Sequence, residues 1–390
     1  MADDVVVVGS GYVGTGTIQR LESELDSEAD LTWISDVDHH FVLHESHRII
    51  RDPSVGPKIT FPIESLKSPA TRFVEGRVVE IDVDTRELVL EDGSIVPFDY
   101  LVVGIGSRTA YFGIEGVKRN ASTVKNLEDV LEIHNDLERV SQQASRSDPA
   151  QVVVGGAGLS GIQSAGEIAA FRDEKRAPIE IHLVEGLDSV FPNNDPVVQA
   201  TLRELLEAKE VRIHTGEFIG EVDEDTVYGS EDLALEYDVL LWTGGITGHE
   251  VATTADVDQQ PRTNRLEVSP TFQTSHERIF ALGDAALVEQ PTTNRPVPPT
   301  AQAAWQAAEV AATNVARSIR EEPIEPWVYR DMGTVISVGD DAVANDVVGV
   351  RAIKETVTGP FAEQLKKAAA LRWIRKITGP AAALRAYPYM

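Results

Sequence analysis

Six residues, Gly9-Ser10-Gly11-Tyr12-Val13-Gly14, follow directly on a run of four valines. Their spacing suits the diphosphate of a dinucleotide. Gly9 permits a tight turn, Gly11 lets the backbone approach a pyrophosphate, and Gly14 lets the next helix pack close to the strand. Free N–H groups and the dipole at the start of that helix favour the anion. The pattern recurs at Gly156-Ala157-Gly158-Leu159-Ser160-Gly161, again after valines. An acid closing the second strand of each unit would take the ribose hydroxyls. Asp36 falls there in the first unit, with Ser35 as the alternative occupant of the position, and Glu185 falls there in the second. A carboxylate at that point repels a 2′-phosphate, so Glu185 indicates NADH rather than NADPH. In Phe280-Ala281-Leu282-Gly283-Asp284, Gly283 allows close backbone approach, and the Asp284 carboxylate can accept a hydrogen bond from a ribityl hydroxyl. That pairing makes FAD the dinucleotide expected at the first turn.

Other chemistries are excluded or weakly signalled. The chain has no cysteine, which removes redox-active disulfides, sulfenates, persulfides and thiolate metal ligation. His39, His40, His44 and His47 invite a metal reading, but their spacing matches no known carboxylate–histidine site, and loop or flavin-side packing is expected. No metal is therefore expected at the site. A net charge of −28 argues against nucleic acid as a partner, because phosphate binding needs a clustered basic face. Only 10 of the 35 basic residues are Lys, and carboxylates run along the whole chain. This composition resembles that of halophilic, archaeal proteins, with an unusually acidic mesophilic protein, charged for solubility, as the alternative. No apolar run is long enough to span a membrane. The chain starts straight into a strand without a secretory signal, so a cytoplasmic location is expected.

The elements that must position these residues can be read from periodicity. Each glycine-rich turn joins a buried strand to a helix and then a second strand, one βαβ unit from residue 4 and another from Gln151. Residues 71–103 alternate as antiparallel strands. From Glu322 a Pro-spaced linker leads to the strand-like segments MGTVISVG and VVGVRA and then to a helical tail. The fold expected is α/β, with two Rossmann-like dinucleotide-binding domains and a small C-terminal α+β domain. The FAD domain is discontinuous, over residues 1–115 and 265–326. The NAD(H) domain is inserted at 116–264, and the C-terminal domain covers 327–390.

The order of these motifs resembles the two-dinucleotide-binding-domain flavoproteins, and among them the type II NADH dehydrogenases, over about residues 4–350. GRVVEID looks like the family strand whose backbone meets the adenine, here near Val78. FDYLVVGIGSR, with Gly106, looks like its crossover back to the flavin domain. LLWTGG matches its loop beside the nicotinamide, which would place Gly244 and Gly245 there. PPTAQAAWQAAEVAATNV matches its helix under the flavin, with Ala301 and Gln302 at the N-terminus and Gln302 and Gln306 at the paired glutamine positions near flavin and quinone. Where the family usually carries Glu facing the nicotinamide, this chain has Gln163.

The resemblance implies hydride passing from NADH to FAD and electrons on to a quinone of the menaquinone type. It leaves two alternatives: a soluble reductase for a ferredoxin-like protein, and a flavin-binding redox sensor of low turnover. Family members use the C-terminal region to rest on a membrane. Here FAEQLKKAAALRWIRKITG carries Lys366, Lys367, Arg372, Arg375 and Lys376 against one acid, Glu363. The apolar positions Phe361, Leu365, Leu371, Trp373, Ile374 and Ile377 form no single helical stripe. The helix is therefore expected to serve either peripheral contact with the inner face of the cell membrane or subunit packing in a homodimer.

Overall fold

The computed structural model describes residues 2–230, 232–291, 296–348 and 356–390. Two parallel sheets organise it. The first runs in the order Ile279–Ala281, Tyr100–Val103, Asp3–Val8, Ala29–Ser35 and Arg72–Glu75, all parallel. Its valine run is buried on both faces, as a parallel sheet covered by helices requires. The strand at its far edge, Ile279–Ala281, is contributed by chain that returns only after the whole second unit. The second sheet runs Val211–Thr215, Ile179–Glu185, Ala150–Gly155 and Val239–Trp242, also parallel.

Chain order reverses on either side of the first strand of each sheet. A crevice opens at the carboxyl ends of the strands at such a point. In the first unit the crevice lies between Asp3–Val8 and Tyr100–Val103, and in the second between Ala150–Gly155 and Val239–Trp242.

The helices Tyr12–Leu25 and Ala301–Ile319 pack closely. Small residues explain how: Ala303, Ala304, Ala307, Ala308, Ala311 and Ala312 line one buried stripe, and a Cβ on Gly16 would stand 2.9 Å from the Cβ of Ala308. The helix 301–319 is capped by Thr300, whose side chain accepts from the Ala303 N–H. Its N-terminus is thereby held beside the 3₁₀ turn Gly283–Ala285.

The C-terminal unit differs from expectation in two respects. The strand Thr334–Val338 forms, but its partner is Asp341–Asn345, a polar and small-residue segment whose sequence gives little strand signal. Most of the strand expected at residues 347–352 lies outside the described residues, and Val347 and Val348 are not in a strand. The helix Pro360–Thr378 does have one buried stripe, made by Ala362, Lys366, Ala370, Trp373, Ile374 and Ile377. Counting only large apolar residues hides it, because two alanines and a lysine hold inner positions while Phe361 is half exposed.

Candidate dinucleotide sites

The two glycine-rich turns are equivalent in register. Val8 pairs with Ile34 and the Gly9 N–H donates to the Ile34 carbonyl; Gly155 pairs with Val184 and the Gly156 N–H donates to the Val184 carbonyl. Gly9 and Gly156 both have φ near +100°, a region L side chains avoid. Each also meets backbone across its crevice. A Cβ on Gly9 would stand 2.4 Å from the Gly104 carbonyl oxygen, and one on Gly156 would stand 2.8 Å from the Gly244 Cα. No substituent fits at either position. Gly11 and Gly158, by contrast, face open space, which is the surface a pyrophosphate needs. Gly14 and Gly161 press their Cα against the carbonyls of Gly9 and Gly156.

The same register decides which residue of the first unit is the counterpart of Glu185. Glu185 follows Val184 as Ser35 follows Ile34, so Ser35 is the counterpart of Glu185 and Asp36 lies one residue beyond. Glu185 accepts from the Ala157 N–H at 2.8 Å and the Leu187 N–H at 3.0 Å, which turns its carboxylate to the glycine loop. Ser35 is buried and reaches Ser10 Oγ at 3.0 Å. Asp36 is half exposed and pairs with Arg77 at 3.2 Å. Next to this pair, the Gly76 N–H donates to the Ser35 carbonyl, and the strand Val78–Asp82 begins there.

Around Asp284 the first crevice is polar. Ser107 Oγ donates to Asp284 Oδ2 at 3.0 Å, and Lys125 Nζ donates to Ser107 Oγ at 3.2 Å. Arg265 donates to the carbonyls of Asp284 and Ala286. Gly283 lies against Val13, and Gly106, just before Ser107, is open on its side-chain face. Lys125, Ser107 and Arg265 were not singled out from sequence. Lys125 is the one Lys or Arg between positions 120 and 138, a signal that could have found it.

The loop Trp242–Gly245, expected from sequence to lie beside a nicotinamide, is fixed from both sides. Trp242 is buried and its Nε1 donates to the Ala110 carbonyl at 2.8 Å, while Thr243 Oγ1 donates to the Gly155 and Gly156 carbonyls. Gly244 is exposed, and Gly245 lies under the exposed ring of Phe112.

The glutamines hold chain. Gln302 donates to the Gly333 carbonyl and its Oε1 accepts from Tyr329 OH and the Met332 N–H. Gln306 exchanges hydrogen bonds with the Arg330 backbone. Together they pin the linker over the helix that begins at Ala301. Gln163 is also buried, with Nε2 3.1 Å from Ser337 Oγ and 3.2 Å from His47 Nε2. It joins three elements that are far apart in sequence.

The histidines are tied into this packing. His40 lies between the Ser10 carbonyl and Trp373, whose Nε1 donates to His40 Nε2 at 2.8 Å, so His40 Nδ1 carries the proton and donates to Ser10. Burial lowers its pKa to about 4, which keeps that tautomer neutral. His44 Nδ1 meets Tyr12 OH at 2.6 Å, and His47 meets Ser337 Oγ at 3.0 Å. His39 contacts Asp38.

The basic tail helix is largely accounted for by protein partners. Lys366 is buried 3.0 Å from Glu45, which also accepts from Arg48 at 2.6 Å. Burial alone would raise the Glu45 pKa, but Lys366 and Arg48 hold it well below the usual carboxylate range. Lys376 pairs with Glu309, and Lys367 lies over the ring of Tyr387. Arg372 and Arg375 form no ion pair among the described residues, and line a groove with Leu371, Pro380, Leu384 and Tyr387.

Known proteins resemble this chain along its length. A type II NADH:quinone oxidoreductase of Staphylococcus saprophyticus is 28% identical over 401 residues, covering 97% of this chain and 98% of that protein. One of Staphylococcus aureus is 27% identical over 406 residues, at the same coverage. Among solved structures, NDH2 from Plasmodium falciparum in complex with NADH superposes with a TM-score of 0.85 at 16% identity, covering all of this chain and 98% of the other. The sulfide:quinone oxidoreductase of Aquifex aeolicus gives 0.82 at 20% identity, covering 97% and 92%. These likenesses agree with the two-Rossmann architecture. The family model for pyridine nucleotide-disulphide oxidoreductases matches residues 3–308, and the chain, though it has no cysteine with which to form a disulfide, belongs to that family.

Proposed function

We propose that this chain is an FAD-dependent NADH:quinone oxidoreductase. One observation carries the reading: two glycine turns in the same register, each open at a reversal of strand order, lie in one chain whose full-length relatives are named for that reaction. The residues fit the groups. Gly11, Gly106, Asp284 and the N-terminus at Ala301 and Gln302 surround the first crevice, and Gly158, Glu185, Gly244 and Gly245 surround the second. Asp36 and Val78 stand at the adenosine end of the first.

Bound FAD would supply the redox chemistry, accepting hydride from the nicotinamide and releasing two electrons to the quinone. The chain's own part is positioning. The loop at Gly244 and Gly245, fixed by Trp242 and Thr243, would hold the nicotinamide. The helix N-terminus at Ala301 offers free N–H groups to negative charge on the flavin. Gln302 and Gln306 act at one remove, by holding residues 329–333 against that helix on the acceptor side. Gln163 braces the nicotinamide unit against Ser337 and His47.

A menaquinone-type quinone dissolved in the membrane requires contact with the bilayer. The groove of Leu371, Arg372, Arg375, Leu384 and Tyr387 suits peripheral contact on the cytoplasmic face, since Leu384 is 76% exposed beside two free guanidinium groups. Among the described residues no helix is long and apolar enough to cross a membrane. The same groove is the surface on which a homodimer would compete.

Anaerobic titration with NADH and then NADPH, followed by turnover with a menaquinone analogue, tests the reading. NADH should bleach the flavin at far lower concentration than NADPH, and the quinone should restore its colour. Bleaching without quinone turnover would favour a protein acceptor, and slow bleaching by both nucleotides would favour a sensor.

A further inference from the structure

We propose that Lys125, on the segment entering the inserted nicotinamide unit, is the cation that meets the diphosphate of bound FAD. The inference rests on the flavin reading of the first crevice. Its backbone position is fixed: Asp129 Oδ2 accepts from the Lys125 N–H at 2.9 Å and from Thr123 Oγ1 at 2.5 Å, and Asn126 caps the helix that starts at Leu127. Its side chain reaches back across the crossover to Ser107 Oγ, which is bonded in turn to Asp284.

What the ammonium lacks is a partner. It has three donors, and its one hydrogen bond to protein is the 3.2 Å contact with Ser107. No carboxylate among the described residues lies within 4.0 Å of it. Burial pushes its pKa down, and only the more distant Asp284 and Asp129 oppose this. A partly buried cation with unused donors is stabilised by an anion that comes to it.

The neighbouring cations are occupied. Arg77 pairs with Asp36 and Arg108 with Glu250. Arg265 turns its guanidinium to the carbonyls of Asp284 and Ala286. Through Ser107 the Lys125 ammonium stands beside Asp284, on the polar wall of the first crevice. A diphosphate carries two negative charges at neutral pH, and the first turn of the helix Tyr12–Leu25 holds no basic side chain. The helix dipole offers only about half a charge. Lys125 would add one full positive charge, and because it comes from the inserted unit, bound FAD would tie the two units together.

The full chain, stripped of flavin and titrated again with FAD and with riboflavin in molar salt, tests this. Long-range attraction is screened there to about 3 Å, so only direct contact remains. Lys125→Gln should weaken FAD by about 10- to 100-fold, the loss expected of a charge-assisted hydrogen bond. Riboflavin, which has no phosphate, should bind as it does to the unaltered chain, and Lys125→Arg should restore most of the FAD affinity. The flavin midpoint potential of the reloaded Lys125→Gln protein should stay where it was. Unchanged FAD affinity, an equal loss for both flavins, or a displaced potential would each overturn the assignment. If the unaltered chain itself takes up no FAD, the flavin reading fails, and the assignment of Lys125 with it.

Discussion

At the scale of single residues, the two units differ most where their adenosine ends should be read. Glu185 presents a carboxylate oriented by two backbone N–H groups, whereas its counterpart Ser35 is a buried hydroxyl and Asp36 is drawn to Arg77. Sequence spacing could place an acid only to within a residue, because a strand's last residue is not marked in the sequence. The pairing of Ile34 and Val184 with their neighbours makes Ser35, not Asp36, the counterpart of Glu185 in register. Glu185→Ala should raise KM for NADH about tenfold, as loss of a charge-assisted hydrogen bond implies, with kcat nearly unchanged. It should also narrow the preference over NADPH, because the repulsion of a 2′-phosphate goes with the carboxylate. Steady-state kinetics with both nucleotides checks this, and a fall in kcat at unchanged KM would contradict the ribose role. Partners distant in sequence were illegible in the same way. Gln163 could be marked as a departure from its family, but nothing in the chain shows that Ser337, 174 residues on, completes its hydrogen bonds.

Among the elements, the glycine turns and their strands were the most legible, since a buried strand, a turn and a helix leave three signals within a dozen residues. The tail helix was the least. Its inner face is built on Ala362, Ala370 and Lys366, residues a search for large apolar side chains passes over. The Lys366 ammonium turns inward because Glu45 is there to meet it. Lys366→Met should destabilise the protein by about 3 kcal/mol, since removing one member of a buried ion pair leaves the other uncompensated. The double variant Lys366→Met with Glu45→Gln should recover much of the loss. Thermal unfolding of the three proteins measures the coupling, and additive losses would mean that the pair does not act as one unit. The outer face yields a separate prediction. Leu384→Asp with Arg375→Glu should shift the protein from membrane vesicles to the soluble fraction in a flotation assay without changing its unfolding temperature. Unchanged partitioning would leave the groove to a second copy of the chain. Removing the whole helix would not test this, because Trp373 and Ile374 belong to the core.

In the whole molecule, the three units share one continuous apolar core, and a polar seam runs beside it. One turn beyond Gln163, Glu167 is fully buried 3.0 Å from Arg51, and Arg51 also holds Asp340 of the C-terminal hairpin at 2.6 Å. Close backbone packing makes the seam tight, since a Cβ on Gly166 would stand 2.5 Å from the Gly339 nitrogen. Burial raises the Glu167 pKa to about 6 despite Arg51, so desolvation outweighs the ion pair. The sign of its effect on stability follows from that. Between the ordinary carboxylate value near 4.5 and about 6, the unfolded chain releases this proton while the folded chain keeps it. This group's contribution therefore falls as pH rises through that window, by about 2 kcal/mol in all. Glu167→Gln imitates the protonated form and leaves Arg51 its bond to Asp340. The difference in unfolding free energy, variant minus unaltered protein, should rise from pH 4.5 to pH 6 and then level off. Above pH 6 the variant should be at least as stable as the unaltered protein. A variant less stable at pH 7.5 would show that the Glu167–Arg51 pair holds the seam together.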